Sequence, residues 1–345
     1  MSTKEQSELD NFVAQLRKGA ALLKEIPAIN VGTTPKELVY QEDKLQLFHY
    51  LSEKPGIPVL IIYSLVNRPY IADLQPDRSF IKTLQSEGLD VYLIDWGYPD
   101  AADRFTNLDD YLNDYTDRCV DEVARLTKKR KVNLIGICQG GTMALCYAAL
   151  HPKKVGSLTL LVSPVDFHTR DNLLTPWLTN IQVETIIENN GNFPGEALAF
   201  LFRSLKPFQL NRKKYVDLID SLDNREKLEN FLRMERWIND SPDLAGEAFL
   251  EFNRDFFVEN KLISGQLKIG HQEVNTQAIN CPILNVYAQQ DHLVPPDSSK
   301  ALKKIVPEKN YTEIEAPGGH IGLFVSGKSL KTIPKKIAGW LKKSG

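Results

Sequence analysis

The sequence contains no apolar stretch near the length of a membrane span. Its longest uninterrupted runs, such as Pro58 to Ile62, fall far short of the about 20 residues required. Neither charge is in excess. Its 42 lysines and arginines nearly balance 44 aspartates and glutamates, for a net charge of -2, so no global field draws the chain to nucleic acid. The N-terminus alternates charge through Lys4, Glu5, Glu8 and Asp10 and lacks the basic-then-apolar order of a signal peptide. Internal repeats, low-complexity tracts and Gly/Ser linkers are missing too. Cysteine is sparse: Cys119, Cys138, Cys146 and Cys281 are separated by 19, 8 and 135 residues, so no C-x-x-C pair offers a zinc or redox site. Four cysteines in 345 residues, without a signal peptide, do not describe a disulfide framework. Each reads as a small buried hydrophobe unless its context says otherwise. These absences point to a soluble, cytoplasmic protein with no transmembrane segment.

What is present is an ordinary globular composition, 42% hydrophobic and 25% charged, which rules out intrinsic disorder and fibrous structure. Leu9, Phe12, Val13, Leu16, Leu23 and Ile26 fall at helical spacing and predict an amphipathic N-terminal helix within residues 1–30. Glu37 to Gln41 and Lys44 to His49 read as a hairpin around Glu42-Asp43. Apolar runs then recur at Ile57–Tyr63, Leu89–Asp95, Val132–Ile137, Ser157–Ser163, Pro282–Ala288 and Asn310–Glu315. Most are apolar on both faces, as parallel strands covered on both sides should be. Helical candidates at 76–87, 108–128 and 141–150 alternate with the early strands, so the fold class is α/β with a mostly parallel sheet.

The rhythm breaks between residues 165 and 270, a stretch that holds 10 of the 15 phenylalanines together with Trp177 and Trp237. It reads as a largely helical insertion into a core formed by 31–164 and 271–345. Phe249, Phe252, Phe256 and Phe257 share one helical face. They suit the core of a subdomain and, equally, the inner face of a lid over a substrate passage. Residues 328–343 carry six lysines and no acid, with Ile333, Ile337, Trp340 and Leu341 on one stripe. Such a helix fits an anionic surface or a last helix packed on the sheet with its lysines in solvent.

The chemistry centres on Gly136-Ile137-Cys138-Gln139-Gly140, directly after one predicted strand and before a predicted helix. This is the nucleophile elbow of α/β-hydrolase folds, with cysteine in the serine position. The sharp turn exposes the sulfur above the sheet and aims a helix N-terminus at it, which favours the thiolate. In this fold the partners follow in the order nucleophile, acid, histidine. His320, after Pro317-Gly318-Gly319 and a strand, sits where the histidine belongs. Asp291, just after the strand Pro282–Ala288, sits where the acid belongs, with His292 as its neighbour. The oxyanion hole should use the backbone N–H of Gln139 and a second N–H from the loop Ser64 to Arg68, with Val66 the expected donor within about one residue.

A cysteine nucleophile suits a thioester donor, because acyl transfer between thiols is nearly isoenergetic and keeps the acyl group activated. A hydroxyl acceptor then makes an oxoester downhill, provided water is kept out. On this argument an acyltransferase and a thioesterase compete closely. A non-catalytic scaffold on the same fold is a third possibility, disfavoured by an intact Cys138, Asp291 and His320. None of the three requires a metal or organic cofactor.

Further stretches carry a resemblance. Leu65-Val-Asn-Arg-Pro-Tyr70, Asp73-Leu-Gln-Pro-Asp77, Leu93-Ile-Asp-Trp-Gly-Tyr98, Gly136-Ile-Cys-Gln-Gly-Gly-Thr142, Asp291-His-Leu-Val-Pro295 and Gly318-Gly-His-Ile-Gly322 resemble the catalytic subunits (PhaC) of the class III polyhydroxyalkanoate synthases, and the likeness covers nearly the whole chain. The short length also looks like class III, although class IV enzymes are similarly short. The resemblance implies an acyltransferase (EC 2.3.1.-) that polymerises (R)-3-hydroxyacyl-CoA, chiefly 3-hydroxybutyryl-CoA, with release of CoA. It implies that Cys138 carries the growing polyester chain, that His320 takes the thiol proton, and that Asp291 assists His320 and the attacking 3-hydroxyl. It further implies a second subunit (PhaE), a homodimer of the catalytic subunit and residence at the surface of polyhydroxyalkanoate granules.

Overall fold

The structure is a computed structural model that describes residues 29–54, 56–205 and 224–344, with Leu222 and scattered residues between 13 and 26. The N-terminal helix expected within 1–30 falls mainly outside the described residues. Eight strands form one sheet: β1 (Lys36–Glu42), β2 (Leu45–Tyr50), β3 (Ile57–Ile62), β4 (Leu89–Asp95), β5 (Val132–Ile137), β6 (Val155–Leu161), β7 (Ile283–Ala288) and β8 (Tyr311–Ala316). Their spatial order is β1-β2-β4-β3-β5-β6-β7-β8. The β1–β2 hairpin and the β2–β4 pair are antiparallel. All other pairs are parallel.

Side chains alternate across this sheet and divide the core in two. Leu60 and Ile62 of β3 join the layer formed by α2 (Asp117–Thr127) and α3 (Gln139–Leu150). Val59 and Ile61 face the opposite layer, built on α1 (Phe80–Ser86) and the C-terminal helix Ile333–Ser344. All four strand residues are fully buried, which is why β3 reads as a continuous apolar run. Ser79 caps α1 by accepting a hydrogen bond from Lys82 N–H at 2.9 Å. A two-stranded ribbon, Asp73–Gln75 with Arg78–Ser79, occupies the start of the 76–87 segment expected to be helical. The expected helix at 108–128 is a π-helical turn, Asp110–Thr116, running into α2.

Between β6 and β7 the chain forms α4 (Leu174–Leu178), α5 (Val183–Asn190), α6 (Gly195–Leu205), α7 (Arg225–Asn239) and α8 (Gly246–Phe252). A second π-helical turn, Asn253–Val258, continues α8, so Phe252 and Phe256 stack with centroids 4.3 Å apart. The C-terminal helix, α9 (Ile333–Ser344), buries Ile333, Ile337 and Leu341. Its apolar stripe is spent in the core, as expected of a last helix packed on the sheet.

Candidate active site

The turn from β5 into α3 sets the position of Cys138. Cys138 has φ 55° and ψ −127°, a conformation that side-chain-bearing residues seldom adopt and that marks stored strain. Its N–H donates to Leu161 O at 2.9 Å, and its carbonyl accepts from Gly141 N–H at 2.9 Å. The neighbouring glycines are sterically required. A Cβ on Gly136 would lie 2.4 Å from Gly141 Cα, and one on Gly140 would lie 2.3 Å from the Ile62 carbonyl oxygen. Cys138 is half-buried, whereas Cys119, Cys146 and Cys281 are buried.

Asp291 and His320 come together from the loops after β7 and β8. Gln289 N–H donates to Ala316 O and Gln290 N–H to Gly318 O, each at 2.8 Å, which ties the two loops side by side. His320 Nδ1 lies 2.7 Å from Asp291 Oδ2. Asp291 Oδ1 accepts from Leu293 N–H at 2.9 Å and Val294 N–H at 3.0 Å. Burial opposes a charged imidazole here. Against it, the charges of Asp291 and Cys138 and the hydrogen bond to Asp291 hold the His320 pKa well above its usual value.

A cavity of about 760 Å³ opens over these residues. Cys138, His320, Gln139, Val66 and His292 all line it, with Phe167 from the turn after β6 and Phe202, Phe231, Phe249, Phe252 and Phe257 from the helical segment that follows. Asp291 is not among the lining residues; its side chain is wholly buried behind His320. Gln139 opens α3, so its N–H has no acceptor within the helix. Val66 N–H, by contrast, donates to Ser64 Oγ at 2.9 Å. Ser64 lies in the loop singled out from the sequence, but spacing alone does not reveal its role as the acceptor for Val66. A thiol, an imidazole and a buried carboxylate in this order, beneath an apolar chamber, can carry an acyl group from one acceptor to another.

Comparison with known proteins places the chain in a family. The sequence profile of the α/β hydrolase fold matches residues 57–326, and that of the poly-beta-hydroxybutyrate polymerase (PhaC) N-terminus matches residues 25–84. The poly(3-hydroxyalkanoate) polymerase subunit PhaC of Allochromatium vinosum is 51% identical over 97% of this chain and 96% of its own length. This chain belongs to the PhaC family. A further PhaC, from Synechocystis, is 49% identical over 91% of this chain and 85% of its own length, so the resemblance read from the six motifs extends along the sequence. Among solved structures, the monoacylglycerol lipase of Paleococcus ferrophilus aligns with a TM-score of 0.54 at 16% identity, covering 87% of this chain and 99% of that one. An esterase from Thermogutta terrifontis gives 0.51 at 15% identity, covering 90% and 99%. At such identities the likeness is one of fold. Among the described residues no helix is long and apolar enough to cross a membrane.

Proposed function

We propose that this PhaC chain is a poly(3-hydroxyalkanoate) polymerase, an acyltransferase that uses (R)-3-hydroxyacyl-CoA, chiefly 3-hydroxybutyryl-CoA, through an acyl-cysteine intermediate. The observation that carries the reading is the Cys138–His320–Asp291 line beneath an aromatic cavity. His320 Nε2 takes the Cys138 proton, and the sulfur adds to the thioester carbonyl. The tetrahedral oxyanion is met by Gln139 N–H and by the loop around Val66. CoA leaves as a thiol with the proton returned by His320, and the acyl group stays on Cys138. The 3-hydroxyl of a second acyl unit then attacks the acyl-cysteine, His320 takes its proton, the oxoester forms and the thiol is restored. Asp291 acts on both steps through His320, because its two oxygens already accept three hydrogen bonds.

Water would divert the acyl-cysteine to free acid. The phenylalanines of the inserted helices, within residues 165–270, act as a lid that keeps the chamber apolar. The chain works as a class III catalytic subunit with a PhaE partner, as a homodimer, at the cytoplasmic surface of polyester granules. The test is the product made from (R)-3-hydroxybutyryl-CoA by the purified chain, alone and with a PhaE subunit, with Cys138→Ala as control. Thiol release with insoluble polyester is expected. Thiol release with only free 3-hydroxybutyrate would make the chain a thioesterase.

A further inference from the structure

The loop after β3 holds an arrangement that the triad does not use. Leu65 N–H donates to Gln139 Oε1 at 3.1 Å, and the Ser64 hydroxyl donates to the same oxygen at 3.2 Å. Ser64 Oγ in turn accepts from Val66 N–H at 2.9 Å. The result is a short relay from Val66 N–H through the Ser64 hydroxyl to the Gln139 side chain. The loop is held close to the start of α3, where Gly140 leaves no space for a Cβ against the Ile62 and Tyr63 carbonyls. Ser64 is buried at 3% exposure, and Ser64, Val66, Gln139 and Cys138 all line the same cavity.

We propose that the Ser64 hydroxyl is a catalytic hydrogen-bond donor: it turns from Gln139 Oε1 to the oxyanion that forms when Cys138 adds to a thioester carbonyl, with Val66 N–H supporting it from behind. The inference rests on the acyl-transfer reading above. A hydroxyl has one donor and two acceptor sites, so Ser64 can accept from Val66 and donate onward at once. Accepting the Val66 bond polarises the hydroxyl and strengthens its donation. The exchange is cheap. Gln139 Oε1 keeps Leu65 N–H as its donor, and the 3.2 Å bond it gives up is replaced by one to an anion, roughly twice as strong as a neutral bond. That gain exists only once the oxyanion has formed, so it lowers the barrier without tightening substrate binding. No bond to Ser64 Oγ is made or broken, and its proton stays on oxygen throughout.

Ser64→Ala and Ser64→Thr test this in the preparations described above, by single-turnover thiol release from (R)-3-hydroxybutyryl-CoA. Removing one donor from an oxyanion site costs about 10²–10³ in rate, so Ser64→Ala should acylate about 10²-fold more slowly with KM little changed. Ser64→Thr should recover most of the loss. Iodoacetamide should alkylate Cys138 in Ser64→Ala at the wild-type rate, because alkylation develops no oxyanion. An unchanged acylation rate in Ser64→Ala overturns the proposal. A parallel loss of alkylation and acylation also overturns it, by making Ser64 a packing residue. If the alanine variant does not fold, Ser64→Cys keeps the shape and replaces the hydroxyl with a weak S–H donor. It should show the same fall, and a wild-type rate there overturns the proposal equally. A wild-type chain that releases no more thiol than Cys138→Ala would overturn the acyl-transfer reading itself, and the Ser64 role with it.

Discussion

His320 Nδ1 lies 2.7 Å from Asp291 Oδ2, and the two side chains are 6% and 0% exposed. With Asp291 Oδ1 fixed by two backbone N–H groups, the carboxylate is free neither to rotate nor to meet substrate. It therefore sets which imidazole nitrogen carries the proton. Nδ1–H faces Asp291, and in the mechanism proposed above Nε2 is the nitrogen left to exchange a proton with Cys138.

Asp291→Asn should break that assignment while sparing the fold. The amide oxygen can still accept from Leu293 and Val294 N–H, but the NH₂ group facing Nδ1 favours the wrong tautomer. Steady-state turnover should fall about 10⁴-fold. The first acylation should suffer less, because a thiol gives up its proton far more readily than the 3-hydroxyl that attacks during elongation and so needs less help from a base. A stopped-flow trace should show a burst of thiol followed by stalled elongation. Equal losses in both phases would refute the unequal dependence of the two steps on Asp291.

Thiol reactivity should single out one cysteine of four. Burial pushes the pKa of Cys146 up to about 12 and that of Cys281 up to about 11, and it raises Cys119 still further. Cys138 is the half-buried one and lines the cavity. Limited iodoacetamide treatment of the native chain followed by peptide mass mapping should find carbamidomethyl only at Cys138, with activity lost in proportion. Early label at Cys119 or Cys146 would mean that the layer around α2 and α3 opens readily.

Two glycine substitutions should act with opposite sign. Gly140→Ala would place a Cβ 2.3 Å from Ile62 O and 2.6 Å from Tyr63 O, and backbone cannot move aside cheaply. Overpacking of this kind costs about 1–3 kcal/mol, and the strain falls on the loop carrying Ser64 and Val66, so activity should drop as well. Gly339→Ala lies on α9 with no atom within 4 Å of the new Cβ. It should stabilise by about 0.4–1 kcal/mol without touching turnover. Urea midpoints and thiol-release rates of the two variants provide the check.

Much of this arrangement was legible in the sequence, for a physical reason. Parallel strands buried on both faces stand out as apolar runs: Leu89–Asp95 and Val132–Ile137 run between the residues expected, whereas the strand expected at Ser157–Ser163 runs two residues earlier, Val155–Leu161. The elbow was equally plain, because a sharp strand-to-helix turn admits few residues but glycine around the nucleophile. Helix α3 begins at Gln139, two residues before the expected start, since Gly140-Gly141 masks helical spacing there. The π-helical turns at 110–116 and 253–258 were not legible: their spacing differs too little from an α-helix. Nor was the Ser64–Gln139 bond, which joins residues 75 apart in sequence and exists only because β3 and β5 are sheet neighbours.

The sheet edge should carry a pH dependence of known sign. His49 on β2 bridges Asp90 on β4 at 2.7 Å and Glu37 on β1 at 3.2 Å. The hydrogen bond to Asp90, with that to Glu37 and the charges of both, outweighs burial and raises the His49 pKa. A raised folded pKa means that the protonated ring stabilises the fold fully below its unfolded pKa of about 6.5 and progressively less as pH rises through the folded value. Wild type should therefore exceed His49→Gln by up to about 1 kcal/mol near pH 5.5, and the gap should narrow by pH 9. A gap that widens with pH would refute the assignment.

The end of α7 is fastened to the loop after β3, and the fastening should behave as one unit. Asp240, which closes α7, accepts from Tyr70 Oη at 2.9 Å on Oδ2 and from Tyr98 Oη at 2.8 Å on Oδ1. Beside it, Trp237 Nε1 donates to Arg68 O at 2.8 Å, and Asn67 Nδ2 donates to Ser241 Oγ at 2.9 Å. The loop that presents Val66 is thus clasped to a cavity-lining helix. Hydrogen bonds to a charged group contribute about 1.5–3 kcal/mol each, less for the exposed Tyr98. Asp240→Ala should lower the urea midpoint and raise KM, since α7 and the loop lose their common anchor. Tyr70→Phe and Tyr98→Phe should each cost less in the wild-type background. In the Asp240→Ala background they should cost almost nothing, because their acceptor is gone. A double-mutant cycle with full additivity would mean that the tyrosines act through their ring packing, leaving Trp237 and Asn67 as the fastening of α7.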